Sequence, residues 1–85
     1  MEAGSIVISK AGRDKGKRFI VLRVEGQFAY LADGDLRKAE RPKKKKIKHI
    51  QRTDKKAAFL TEKLQSGAAA ENFELRRALS EDQAE

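Results

Sequence analysis

Eighty-five residues with a formal charge of +7 suit one small domain with a modest core. The absence of Cys excludes disulfides and thiolate metal sites, and the single His49 builds no zinc site alone, so neither a metal nor a cofactor is expected. No apolar run nears the roughly 20 residues that span a bilayer, and no secretory pattern is visible, so a cytoplasmic protein without membrane contact is expected.

The charge is uneven. Residues 1–52 hold 15 basic and six acidic side chains, and residues 53–85 hold five and seven. A cationic field confined to the first part favours a polyanionic partner, of which nucleic acid is the commonest.

Met1 to Gly4 reads as a loose end, and Ser5–Ser9, with its β-branched centre, as a first strand. Ala11-Gly12-Arg13-Asp14-Lys15-Gly16-Lys17-Arg18 then forms a basic glycine loop between two apolar runs. Glycine tolerates positive φ and close approach, so backbone N–H groups there are expected to reach phosphate oxygens. Asp14 would be repelled by phosphate and is expected to organise the loop through an Asx-type bond or an ion pair within it.

Phe19–Glu25 reads as a second strand, with Ile20, Leu22 and Val24 on one face and Phe19 and Val21 on the other. Glu25-Gly26-Gln27 turns the chain into a third strand, Phe28–Ala32. Phe19, Phe28 and Tyr30 are expected in the core, in preference to an exposed platform for bases. After the Asp33-Gly34-Asp35 turn, Arg37 to Arg52 holds nine basic residues and one acid, Glu40. Pro42 makes this segment an edge strand or a bridge, with Ile47 and Ile50 as core candidates and a short strand around Lys48 closing the sheet. Short strands at this spacing suggest a small antiparallel barrel.

After Thr53 the period changes. Asp54 is expected to cap a helix whose apolar positions are Ala57, Leu60 and Leu64, beside Phe59, and Gly67 to stop it. Asn72 is expected to cap a second helix through Leu79, with Leu75 and Leu79 on one face. Helices this short dock on the barrel, pair together or fold on a partner. Ser80–Glu85 reads as a disordered acidic end. The expected division is a barrel over 1–53 and a helical tail over 54–85.

Val7, Ala11-Gly12-Arg13-Asp14-Lys15-Gly16-Lys17 and Val21 resemble the KOW motif, the basic glycine loop with flanking strands of ribosomal proteins and some transcription elongation factors. With Asp33-Gly34, Arg37-Lys38, Pro42-Lys43-Lys44-Lys45 and Ile47-Lys48-His49-Ile50, residues 4–53 resemble the L-fourteen-e family of large-subunit ribosomal proteins. The whole chain is more similar to short bacterial KOW-domain RNA-binding proteins related to it, whose barrel is followed by a tail resembling Asn72-Phe73-Glu74-Leu75-Arg76-Arg77-Ala78-Leu79. Phe19 stands where many KOW loops carry a third glycine, and the L-fourteen-e branch also tends to an apolar residue there. The resemblance implies a mainly β protein, a five-stranded SH3-like barrel, binding structured RNA, chiefly ribosomal RNA, and not an enzyme.

The candidate RNA-binding residues are Lys10, Gly12, Arg13, Lys15, Gly16, Lys17 and Arg18 in and around the loop, and Arg37, Arg41, Lys43, Lys44, Lys45, Lys46, Lys48 and His49 in the basic run. The arginines suit forked contacts to phosphate or guanine, and the lysines act as point charges. No catalytic constellation or Walker-type phosphate loop is present. A monomer on structured RNA in a ribosomal setting is the expectation. The alternatives are a protein adaptor that docks on a ribosomal, transcription or translation factor through the barrel or the tail, and a DNA-binding architectural protein.

Overall fold

In the computed structural model, which describes residues 1–83, five antiparallel strands are followed by two helices. The strands are β1 (Ser5–Ser9), β2 (Arg18–Glu25), β3 (Phe28–Ala32), β4 (Lys43–Lys46) and β5 (Ile50–Lys56). The helices are α1 (Ala58–Gln65) and α2 (Asn72–Gln83). The sheet order is β4-β3-β2-β1-β5, and its hydrogen bonding leaves β4 and β5 as edges, so it is not closed. A single 3-10 turn, Ile47–His49, connects these two edge strands.

Alternation of side chains splits the core between the two faces of the sheet. Val7, Phe19, Val21, Ala29, Leu31 and Ile50 form one cluster, with Met1 and Ile47 against it. The sheet curls enough for β3 and the far edge strand β5 to share that cluster. Ile6, Ile20 and Ala32 face the other way and meet Ala57, Leu60, Ala70, Leu75 and Ala78 of the helical layer. Leu60 and Leu75 are fully buried there, which stabilises the docking by about 1.5–3 kcal/mol each. The helices therefore dock on the sheet, and residues 1–53 and 54–85 contribute to one apolar cluster.

Several boundaries differ from the sequence reading. Asp54 does not cap a helix: β5 continues through it to Lys56, held by pairing with β1. The register shifts between Ser5 and Val7, and the Thr53 hydroxyl donates to the Ile6 carbonyl at 2.6 Å, satisfying an acceptor at that irregularity. Helix α1 starts at Ala58 without a side-chain cap. It does end at Gly67 (φ 92°), where the N–H groups of Gly67 and Ala68 return to Leu64 and Lys63 in a Schellman arrangement. Helix α2 runs on through Ser80–Gln83, the part expected to be disordered, while residues 84 and 85 of that expectation lie outside the described residues.

Asn72 does not serve as a simple cap either. Its Oδ1 accepts the Ala39 N–H at 2.7 Å and its Nδ2 donates to Glu40, so it ties α2 to the β3–β4 loop. Arg76 reinforces the tie by donating to the Gly34 carbonyl at 2.6 Å. A Cβ on Gly34 would collide with the Asn72 carbonyl, so this turn requires glycine for close approach as well as for its φ of 78°. The loop carrying Arg37 and Arg41 is thus fixed from behind by a helix.

Candidate nucleic-acid interface

The glycine loop is two tight turns. Lys15 N–H donates to Gly12, Lys17 N–H to Asp14, and Gly16 N–H back to Ser9. Gly12 and Gly16 carry φ of 83° and 89°, the left-handed values that β-carbons oppose. The N–H groups of residues 15–17 are thereby engaged inside the loop. The expectation that loop N–H groups reach phosphate therefore fails for these three; Lys15 and Lys17 offer their side chains instead, and Gly16 offers none.

Asp14 organises the loop, with partners outside it. Its side chain is 10 % exposed, accepts from the Ser9 hydroxyl at 2.7 Å, and bridges Lys43 at 2.8 Å and Lys45 at 3.2 Å. Burial alone would raise its pKa. Hydrogen bonds from Lys43, Ser9 and Lys45 outweigh that and hold the carboxyl far below the usual range. Lys45 also donates to the Ala11 carbonyl at 2.9 Å.

The strand period explains why Lys45 differs from its neighbours. The run Lys43–Lys46 is itself the strand β4, and the short strand expected around Lys48 is instead a 3-10 turn. Lys43 pairs with Leu31 and Lys45 with Ala29, on the inner face, while Lys44 pairs with Tyr30 and Lys46 with Phe28, on the opposite face. Lys45 is 8 % exposed and acts as an internal tie, not a surface contact.

Four candidates from three separate segments meet. Arg13 and Lys17 of the glycine loop, Arg37 of the β3–β4 loop and Lys43 of β4 line one cleft of about 230 Å³. Phe19 and Leu36 supply its apolar wall, and Asp14 and Asp33 its acidic groups. The Asp33 carboxylate accepts the N–H groups of Asp35 and Arg37 at 2.9 Å, which sets where the Arg37 side chain starts. Lys15 and Gly16 are exposed beside them, and beyond its two chain neighbours Gly16 faces open space.

The other candidates lie elsewhere. Lys10 N–H donates to the His49 carbonyl, so Lys10, Lys48 and His49 form a second exposed group near the 3-10 turn. Arg41 is exposed in the β3–β4 loop, its N–H bonded to Lys38. Arg18 is committed inside the protein: it donates to Asp82 of α2 at 2.8 Å, and Lys55 lies 3.3 Å from the same carboxylate.

Phe28 and Tyr30 are not core residues. Both are half-buried on the outer face of β3, while Ala29 and Leu31 fill the core between them. Lys44 Nζ lies 4.4 Å from the Phe28 ring centre, and the Arg23 guanidinium 3.9 Å from that of Tyr30. Arg23 was missed by sequence reasoning. Its signal was the strand pairing that sets it opposite Tyr30, after an irregularity between Val21 and Arg23. Exposed Arg52 on β5 was missed as well.

Among the described residues, no helix is long and apolar enough to cross a membrane, and no group of three or more His, Asp or Glu side chains is placed to hold a metal ion. Neither a known family profile nor a curated protein matches the chain.

Proposed function

We propose that this protein is an RNA-binding module of the KOW type, an SH3-like barrel that grips folded RNA by its phosphates and works in a ribosomal setting. The observation that carries the reading is the cleft where Arg13, Lys17, Arg37 and Lys43 converge from three segments. Clustered cations act cumulatively on a polyanion and displace its counterions. Fixed spacing on a rigid frame reads the shape of the backbone, more than base identity. Support for the barrel comes from the strand order, the shared inner cluster and the 3-10 turn between the edge strands. The ribosomal setting rests on the resemblance over residues 4–53.

The test is binding to ribosomal RNA fragments across a salt series. Affinity should fall steeply with salt, and Arg13→Gln with Arg37→Gln should flatten the log–log slope by roughly 1.5 to 2. A wild-type affinity indifferent to salt overturns the proposal.

One observation favours the adaptor as a second reading. Phe59 and Phe73 are 46 % and 60 % exposed and line a cleft of about 400 Å³ between the helices. If the adaptor reading holds, Phe59→Ser with Phe73→Ser abolishes co-sedimentation with ribosomes and leaves binding to isolated RNA intact.

A further inference from the structure

The helical layer covers only part of the outer face of the sheet. Its apolar cluster takes in Ala32 of β3 but neither Tyr30 nor Phe28, which follow on the same face. Those two rings stand half-buried, two residues apart, with a cation over each. The edge strand repeats the pattern: Lys44 lies opposite Tyr30 and Lys46 opposite Phe28. The result is a strip in which a ring and a lysine occur twice, about 6.6 Å apart along the strand.

We propose that this strip stacks two unpaired bases of a single-stranded RNA segment, one on Phe28 and one on Tyr30, with Lys44 and Lys46 taking the adjoining phosphates. The inference rests on the RNA-binding reading and names a second element of its substrate. The ring spacing selects the strand type. Successive duplex bases are about 3.4 Å apart and show no free faces, whereas a splayed single strand can offer one base to each ring. The cations now over the rings mark faces open to a flat partner. The Arg23 side chain is 53 % exposed and its ion pair is with the similarly exposed Glu25, so it swings away from the ring at small cost. Base–aromatic stacking is stronger than an exposed cation–π contact, so a base displaces Lys44 and Arg23 from the rings. The displaced heads stay beside the bound strand.

The chain carries one Tyr and no Trp, so its intrinsic emission reports on Tyr30 directly. The full chain is titrated with an unstructured pyrimidine RNA of about ten nucleotides, and separately with a fully paired RNA duplex. The single strand should quench tyrosine emission saturably, and the duplex should bind without quenching. Phe28→Leu should weaken single-strand binding roughly tenfold and duplex binding less than twofold. Single-strand binding that leaves the emission unchanged, or that a folded Phe28→Leu variant retains in full, overturns this inference and leaves the phosphate cleft standing. A wild-type chain that binds neither RNA overturns both. Because the quenching is read on the wild type, the test survives even if the variant fails to fold.

Discussion

Two buried carboxylates each bridge two cations, and they do different things. Asp14 lies beneath the glycine loop between Lys43 and Lys45, with the Ser9 hydroxyl as a further donor. Asp82 lies at the end of α2 between Arg18 and Lys55, with its side chain 3 % exposed. The first joins a loop to an edge strand within the sheet, and one of its cations is itself buried. The second joins a helix to the sheet, and its cations remain in contact with water at 35 % and 42 % exposure. A buried charge that loses its partner has no solvent to replace it, whereas a half-exposed one does. The difference teaches that a count of basic residues overstates the surface field, because some lysines and arginines hold the protein together.

The comparison breaks most sharply at Asp14. Asp14→Asn should lower unfolding free energy by about 3 kcal/mol, because Lys45 keeps its charge in a buried position; urea denaturation measures it. A loss under about 1 kcal/mol would remove the distinction between the two carboxylates. The same residue predicts a pH dependence. Its pKa is depressed in the folded protein, so its contribution is fully present above the unfolded value of 3.8 and lost as pH falls through that value toward the folded one. Wild type should lose stability faster than Asp14→Asn below about pH 4, and parallel acid limbs would refute the assignment.

Asp82→Asn should cost less, about 1 kcal/mol, while leaving Arg18 and Lys55 without that carboxylate. A small gain in RNA affinity at low salt should accompany it, read by anisotropy. The smallest stability effect belongs to Lys44→Gln with Lys46→Gln, within about 0.5 kcal/mol by thermal melting, since both face solvent. Their inward neighbour separates from them cleanly: Lys45→Gln should destabilise several times more.

The first three strands were legible because β-branched and aromatic runs alternate between glycine turns, and their bounds hold to within one residue. The lysine strand was not legible as two faces. Four identical residues have no period of their own, and only pairing with Phe28–Leu31 separates them. Strand β5 was missed, a short strand around Lys48 being expected in its place, because, of Ile50–Lys56, only Ile50 is apolar; its pairing with β1 and the Thr53–Ile6 bond hold it. The last turns of α2 looked too polar to order, yet Asp82 has its partners on β2 and β5, far away in sequence. Of the candidate site, the convergence of the glycine loop with Arg37 and Lys43 follows from strand order, while the internal roles of Arg18 and Lys45 required the partners' positions.

An open β-sheet invites strangers to add a strand, the first step towards fibrils. Here one rim of the sheet is the four-lysine strand β4. Two copies approaching rim to rim would set lysine against lysine, and the repulsion keeps concentrated protein dispersed. Anything that cancels that charge, whether a polyphosphate or chemical acetylation, removes the guard, so turbidity should appear under those treatments and clear again in high salt only for the polyphosphate.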